Sequence, residues 1–363
     1  MKFILILLWM LPAFVCHAQQ NDSLLFQLTH IADDTERVNQ IYKAGFEIRN
    51  TNPELAYQYA LACETAAGTI NSSKHKAKSY NLIGILCYKK GDYTKALLFQ
   101  KKALALNEAI HYSYGIAINE TNLGNIYSDI GNYALAEVSY LKALRAYNDL
   151  NNNEQIAKCL INLGVLKFTL KQYDPAVKQF QEALAIANTL NDLDLMATCH
   201  NNIGAIFMVQ DKLDSSIVYL EEGLKLLNLR ENEMEMADVY NNMANVYIKQ
   251  QHFSEAKTYL NLADSLCNAY DYTEAKVELY QTYSFFFEAQ QDYKSANDWL
   301  KKHYHLKDSI LQLNKATSPS FTNDEISATK PVSEKQVFKN EWILVILGAL
   351  TVVISLFLMK YKR

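Results

Sequence analysis

The sequence is poor in glycine and proline, the residues that most often interrupt a helix. Only 11 Gly and 5 Pro occur among 363 residues, while half of all residues are hydrophobic. Either residue inside a helix costs about 1 to 3 kcal/mol relative to alanine, so their scarcity favours long helices. We therefore predict an all-α fold.

The sequence also lacks an excess of charge of either sign. It carries 35 basic and 39 acidic residues, which gives a formal net charge of −4 at pH 7. A protein that binds nucleic acid needs a concentrated basic face to neutralise phosphates. We therefore expect no nucleic-acid partner.

Short enzyme motifs are missing as well. The sequence contains no nucleophile elbow, no phosphate-binding loop, no His-Glu-x-x-His run and no paired-Cys metal motif. His303 and His305 are two residues apart on a predicted helix and point to different sides, which argues against a metal site. We predict that the protein is not an enzyme and has no catalytic residue, no metal ligand and no cofactor.

What the sequence does contain is a repeat of 40 residues. In the copy at 117–156, Leu123, Ile126 and Ile130 fall on one stripe of a helix, and Gly131 ends that helix. In the second helix small Ala alternates with large Tyr, which allows close packing on the first helix. A hairpin of two amphipathic helices covers only one of its apolar stripes, so it has to stack on copies of itself.

Seven copies keep the same register, without an insertion or deletion between them. A small residue recurs where two helices are expected to cross closely, at Ala44, Gly84, Gly124, Gly164, Gly204, Ala244 and Ser284. Polar helix starts recur in phase as well, at Asn52 before Pro53, Thr94, Asp174 before Pro175, Asp214 and Ser254. This agreement between local signals and the period predicts the hairpin boundaries.

The pattern of a small residue, a turn, an aromatic residue and two alanines resembles the tetratricopeptide repeat, whose common unit has about 34 residues. The additional residues fall near 148–153, so we expect longer helix ends and a longer loop between units. This long form is similar to the repeats of kinesin light chains and of bacterial peptide-sensing regulators. The resemblance implies a right-handed α-solenoid of about seven hairpins over residues 37–315, after a capping segment at 19–36.

The cysteines beyond residue 18 are odd in number and show no close pair: Cys63, Cys87, Cys159, Cys199 and Cys267. Cys159 and Cys199 occupy equivalent positions of adjacent units, so at least one helix spacing of about 8–10 Å separates them. This distance exceeds the limit of ~7 Å between Cα atoms for a disulfide. We predict that the cysteines are small buried hydrophobic residues.

Asparagine recurs on the first helix of consecutive units. In four units it lies two residues before the small residue of the helix crossing, and further asparagines lie nearby on the same helices. An amide side chain both donates and accepts, so a row of them can pair with the main chain of an extended peptide. The resemblance implies that the first helices line the concave face and that asparagines at this phase hold peptides. The alternative is that each amide ties its own helix to the backbone of the neighbouring unit. The predicted peptide-binding residues are Asn122, Asn125, Asn162, Asn201, Asn202, Asn241, Asn242 and Asn245.

Other side chains predicted on this face are mixed in character. The charged ones are Lys78, Lys89, Lys158, Lys249, Asp129, Asp238, Glu278 and Glu288. Tyr88, Phe168 and Met208 either form pockets for apolar side chains or belong to the edge of the core. The lysine with which tetratricopeptide clamps hold a C-terminal carboxylate is missing from its usual phase, so we do not expect carboxylate capture there.

Both ends of the sequence predict attachment to a membrane. Residues 1–18 have the layout of a secretory signal peptide, with an uncleaved anchor as the alternative. A polar linker at 316–340 leads to 342–359, an uncharged stretch whose helical length of ~27 Å spans a bilayer core. The basic tail at 360–363 favours a cytoplasmic C-terminus. We expect a single-pass inner-membrane protein with a periplasmic solenoid.

A second resemblance concerns the whole arrangement. The segments DSLL, DDTERVNQIY and KKHYHLKDSI, together with a single span, resemble the sensor half of membrane-bound histidine kinases and regulators of Bacteroidetes-type bacteria. Only four residues follow the predicted span, so the output domain of those proteins is not expected. We predict a receptor or scaffold that binds a protein segment or peptide in its groove. The alternatives are the input subunit of a split or truncated two-component system, with a partner kinase or regulator, and an envelope assembly factor.

Overall fold

The computed structural model describes residues 27–230 and 232–316, which form helical hairpins and contain no strand. The chain divides into two units, Met1–Ser318 and Pro319–Arg363, and all of the hairpins belong to the first. We number the hairpins 1 to 7 in chain order. Their helices are α1 Asp34–Glu47, α2 Pro53–Thr69, α3 Ser73–Lys89, α4 Tyr93–Ala109, α5 Ser113–Asp129, α6 Tyr133–Asp149, α7 Asn153–Thr169, α8 Tyr173–Leu190, α9 Leu193–Val209, α10 Leu213–Leu229, α11 Glu233–Lys249, α12 Phe253–Ala269, α13 Thr273–Ala289 and α14 Tyr293–Ala316.

The 40-residue period is filled by long helices and short turns. In hairpin 3 each helix has 17 residues, and three-residue turns at 130–132 and 150–152 follow them. The additional residues of the long repeat therefore lengthen the helices, as predicted. The expectation of a longer loop between units is wrong, because residues 148 and 149 continue α6 to its end at Asp149.

Each of these turns reverses the chain through one residue in the left-handed region. Gly131 has φ +80° after α5, which confirms that it ends the helix, and the amide of Asn132 donates to the carbonyl of Tyr127 at 2.8 Å. This pattern is the Schellman motif, which satisfies free carbonyls at a helix end. Most of the equivalent positions hold a larger residue, such as Lys171 with φ 58°.

The helix starts were predicted in the correct turns, but not at every correct residue. Asn52 accepts a hydrogen bond from the amide of Leu55 at 3.1 Å, with Pro53 as the first helical residue, as predicted. The prediction for Thr94 is wrong, because Asp92 caps α4 and Thr94 lies in its first turn. Asp174, Asp214 and Ser254 likewise lie within the first turns of their helices.

Close crossing of the two helices in a hairpin depends on the predicted small residues. A Cβ atom on Gly164 would lie 2.8 Å from the ring of Phe180, and one on Gly204 would lie 2.8 Å from the side chain of Leu220. Ala176, which lies on α8 one turn before Phe180, is fully buried. The small residues are therefore required by contact, as the pattern predicted.

Hairpin 1 departs from the common register. Its first helix begins at Asp34, whereas the 40-residue period of the other first helices would place the start at residue 33. A five-residue turn at 48–52 follows this helix. Gly45 makes the close crossing, since its Cβ would lie 2.7 Å from Cβ of Tyr59, whereas Ala44 is only partly buried. The prediction of an uninterrupted register over seven copies is thus wrong for α1.

The first helices form a continuous row. Each first helix contacts the first helix of the next hairpin along the whole series, whereas no two consecutive second helices of the described residues pack to a similar degree. The first helices are therefore on the inner side of the solenoid, and the second helices are splayed apart on the outer side. We call α1, α3, α5, α7, α9, α11 and α13 the inner row.

The predictions for the chain ends mostly fall outside the described residues. In residues 27–230 and 232–316, none of the helices has the length and apolar character needed to cross a bilayer. The predicted signal peptide at 1–18, the span at 342–359 and the tail at 360–363 lie outside these residues. So does the linker at 316–340, apart from its first residue, which ends α14.

Candidate functional site

All of the predicted peptide-binding asparagines lie on the inner row of hairpins 3 to 6, and all are half-buried. Their side chains are therefore partly accessible to solvent. Several of these amides already have partners within the protein, and others do not. This difference decides which of them remain free to bind a ligand.

Three asparagines bridge neighbouring first helices. Asn122 donates to Oδ1 of Asn81 at 2.8 Å, and Asn242 donates to Oδ1 of Asn201 at 2.7 Å. Asn245 donates to the hydroxyl of Thr282 at 3.0 Å. These bonds hold adjacent hairpins in register, which is the alternative role that the sequence leaves open for these amides. The partners are side chains, however, and not the neighbouring backbone.

The amide of Asn162 is open. Among the described residues it forms no hydrogen bond with the protein, so both the donor and the acceptor of this half-buried amide are unused. Asn202 uses one donor on the carbonyl of Thr198 in its own helix at 2.8 Å, and Asn125 accepts from the hydroxyl of Tyr140 at 2.7 Å. Oδ1 of Asn241 is buried and, within the described part of the chain, has no partner.

A buried cluster of amides behind the row was missed by the sequence reasoning. Asn119 donates to Oε1 of Gln100 at 2.8 Å and to Oδ1 of Asn81 at 3.3 Å, and it accepts from Asn107 at 2.7 Å. All four side chains are buried. Through Asn81 the cluster reaches Asn122 on the inner row. The sequence does contain a signal for this cluster. Gln100, Asn107 and Asn119 are amides, whereas the equivalent positions one repeat later hold Tyr140, Tyr147 and Cys159.

Cations and aromatic rings meet at the beginning of the inner row. The guanidinium of Arg49 lies 3.7 Å from the ring centre of Phe46, and the ammonium groups of Lys74 and Lys78 lie 4.4 Å and 5.3 Å from the rings of Tyr112 and Tyr42. Burial, followed by the charge of Lys74, lowers the pKa of Lys78. Contact with a ring stabilises a cation but leaves its charge uncompensated.

Carboxylates are concentrated at the other end of the row. Asp238 of α11 accepts a hydrogen bond from the hydroxyl of Tyr272 at 3.2 Å. Burial raises the pKa of Asp238 to about 6, against the effect of this hydrogen bond, and the charges of Glu235 and Glu278 raise it further. Glu278 and Glu288 of α13 are exposed.

The substitution Asp238→Asn should raise the melting temperature at pH 7.5 by about 3 °C. The folded-state pKa of Asp238 lies above its ordinary value, so its contribution to stability is present at low pH and is lost as the pH rises through about 6. Asparagine removes this loss and can still accept from Tyr272. Thermal unfolding at pH 7.5 and at pH 4 checks the prediction, since the gain should vanish at pH 4. An equal gain at both pH values, or a gain from the exposed control Asp214→Asn, would contradict it.

The apolar residues predicted on this face belong mainly to the core edge. Phe168 packs against the core of hairpins 3 to 5, and its ring centre lies 6.0 Å from that of Tyr173. Met208 packs against the next core cluster. Tyr88 differs, because its hydroxyl donates to Asp129 of the next first helix at 2.7 Å.

The cysteines are buried and unpaired, as predicted. Burial raises the pKa of the thiols of Cys63, Cys87, Cys159 and Cys199 to about 12. Thiols with such a high pKa are protonated at neutral pH and react slowly. They are therefore structural residues, and a cysteine introduced at the surface will dominate labelling.

Comparison with known families assigns the repeats. Models of the tetratricopeptide repeat match residues 115–189, and also residues 77–110 and 237–270. The chain contains tetratricopeptide repeats. This confirms the resemblance derived from the small residues, the turns and the alanines of the 40-residue unit. The fold is typical of modules that bind other proteins. A comparison with curated proteins gives no match. The likeness to membrane-bound kinase sensors stays a prediction.

Solved structures share the solenoid of this tetratricopeptide protein at low sequence identity. The apo form of RapI has a TM-score of 0.64 and 14% identity, covering 76% of this chain and 99% of its own. A Rap protein in complex with Competence and Sporulation Factor has a TM-score of 0.62 and 16% identity, with 80% of each chain covered. The Rap conjugation gene regulator of plasmid pLS20, in complex with the Phr* peptide, has a TM-score of 0.61 and 15% identity, covering 80% and 78%. At this identity the likeness shows the fold alone.

Proposed function

We propose that this protein is a membrane-anchored receptor or scaffold that binds an extended peptide, or an extended segment of a partner protein, along its inner row. The observation that carries the proposal is the open amide of Asn162 in the middle of the row. A half-buried amide with an unused donor and acceptor is suited to pair with a peptide main chain. The Rap conjugation gene regulator of plasmid pLS20, which has a similar fold, has a solved structure in complex with the Phr* peptide.

The spacing of the row suits an extended chain. First helices that pack against one another have axes about 8–10 Å apart, and an extended chain advances ~3.3 Å per residue. Asn162 and Asn202, which lie at the same position of neighbouring hairpins, would therefore meet a bound peptide about three residues apart. Asn122 and Asn242 flank them and hold the hairpins on either side. The middle of the row binds, and its flanks fix the geometry.

Peptide selection tests this function. The full-length protein is used to enrich binders from a library of random peptides, and the affinity of the enriched peptide is then measured by fluorescence anisotropy. Replacing Asn162 and Asn202 together with Ala should weaken binding at least about tenfold, because several hydrogen bonds of about 1 kcal/mol are lost. The melting temperature should stay near that of the wild type.

A matched control uses the same substitution on the outer side. Asn261 is exposed on α12, so Asn261→Ala should leave the affinity unchanged. If no peptide is enriched, or if the double Asn variant binds as well as the wild type, the proposal is wrong. A large loss of stability with unchanged affinity would assign the two amides a structural role.

The proposal includes the location predicted from the chain ends: a single-pass protein of the inner membrane, with the solenoid in the periplasm and the C-terminus in the cytoplasm. Its support is the sequence of residues 1–18 and 342–363. Val218 is 59% exposed on α10, and the described native thiols are buried. Val218→Cys should therefore react with a membrane-impermeant maleimide in cells whose outer membrane is permeabilised. Labelling only after lysis of the inner membrane would contradict the proposed topology.

A further inference from the structure

Charges on the inner row are segregated by sign. Lys74, Lys78 and Lys89 lie on α3, with Arg49 in the turn after α1, whereas Asp238 lies on α11 and Glu274, Glu278 and Glu288 lie on α13. Within the described residues, none of these eight side chains takes part in an ion pair. Both ends of the row therefore carry charges that have no ion-pair partner among the described residues.

Most charged side chains in the middle of the row have an ion-pair partner, although Asp129 of α5 accepts only from the hydroxyl of Tyr88. Lys158 pairs with Glu154 at 2.5 Å within α7, and Asp194 of α9 pairs with Arg230 at 3.1 Å. Lys249 pairs with Asp211 at 3.1 Å. Side chains without an ion pair are therefore most numerous toward the two ends of the row, where a charged ligand gains most.

The unpaired cations are held in place by neutral partners. Lys74 and Lys78 lie over aromatic rings, and Nζ of Lys89 contacts Oδ1 of Asn50 at 2.5 Å. These contacts fix the positions of the ammonium groups without neutralising them. A preorganised charge binds an opposite charge at a lower entropic cost than a mobile surface lysine does.

Charges of both signs act on the ammonium group of Lys89. Burial and the charge of Arg49 lower the pKa of Lys89, whereas the carboxylate of Glu274 raises it.

We propose that the bound peptide carries charges of both signs, with its acidic residues against Lys74 and Lys78 in hairpin 2 and its basic residues against Glu274 and Glu278 in hairpin 7. This inference rests on the proposed function. A nucleic acid or an anionic lipid surface would be repelled by the carboxylates, and a purely basic peptide by the lysines. A peptide with both signs satisfies both ends and is bound in one orientation.

A double-mutant cycle tests the inference with the peptide enriched from the library. Neutralising its acidic residues by Glu→Gln or Asp→Asn should weaken binding to the wild type roughly tenfold, but should have little effect on the variant Lys74→Gln, Lys78→Gln. Neutralising its basic residues should weaken binding to the wild type, but not to Glu274→Gln, Glu278→Gln. The variant Lys178→Gln, Lys225→Gln removes two exposed lysines of second helices and should behave as the wild type does.

The possible outcomes distinguish failure of this inference from failure of the proposed peptide binding. Enriched peptides that lack one sign of charge, or losses that are the same in the wild type and in both neutralised variants, would overturn this inference while leaving peptide binding intact. Failure to enrich any peptide would overturn the proposed function as well. If the protein instead self-associates, and the same charge substitutions abolish this in sedimentation experiments, the row is occupied by a second copy and the inference is wrong.

Discussion

Asn119→Leu is expected to lower the free energy of unfolding by about 3–4 kcal/mol. Asn119 is 1% exposed and makes three hydrogen bonds to the buried side chains of Gln100, Asn107 and Asn81. Leucine leaves Gln100 and Asn107 with unsatisfied polar atoms in the core, and each such group costs about 1–3 kcal/mol. Urea unfolding, together with hydrogen exchange of α3 to α5, would measure the loss and its location.

A rescue variant separates the hydrogen bonds from simple packing. Hairpins 5 and 6 hold Leu220, Leu227 and Val239 at the positions equivalent to the buried amides. The triple variant Gln100→Leu, Asn107→Leu, Asn119→Val should therefore be more stable than Asn119→Leu, because it removes the unsatisfied partners as well. If the triple variant is the less stable of the two, the cluster is held by shape and not by its hydrogen bonds.

Gly164→Ala should destabilise the protein by about 2–3 kcal/mol, although alanine is the better helix former. The new methyl group would lie 2.8 Å from the ring of Phe180, so α7 and α8 would have to move apart. The two helices pack against each other, and the cost should appear as faster exchange in both. A lower urea midpoint and reduced protection of α7 and α8 would confirm the prediction.

The same substitution elsewhere in the chain provides the control. Gly68 lies near the end of α2, and a methyl group added there would have nothing within 4 Å. Gly68→Ala should therefore stabilise the protein by about 0.5–1 kcal/mol, because glycine is a poor residue in a helix. Changes of the same sign at both positions would show that helix propensity, and not close crossing, controls the response.

Much of the fold could be predicted because the repeat encodes each step locally. Gly131 marks the turn after α5, and Gly164 marks the crossing of α7 with α8, so one hairpin suffices to define the others. The shift of α1 could not be read in the same way. Ala44 and Gly45 are both small, and only the contact of Gly45 with Tyr59 shows which of them faces α2.

The sequence predicts where the asparagines of the candidate site lie, but it does not predict which of them already form hydrogen bonds within the protein. The period places Asn122 and Asn162 at the same point of successive first helices, and both lie on the inner row. Whether an amide is free depends on its neighbour one hairpin away. Asn81 stands opposite Asn122 and accepts its hydrogen bond, whereas the equivalent neighbour of Asn162 is Thr121, which bonds to its own helix at Ala117.

Site-specific photo-crosslinking tests the central claim most directly. A benzophenone amino acid replaces Val165, which is 42% exposed on α7 of the inner row, or Val218, which is 59% exposed on α10 of the outer side. With the peptide enriched on the full-length protein, we expect a crosslink from position 165 and none from position 218. A crosslink from position 218 without one from position 165 would show that the inner row is not the binding surface.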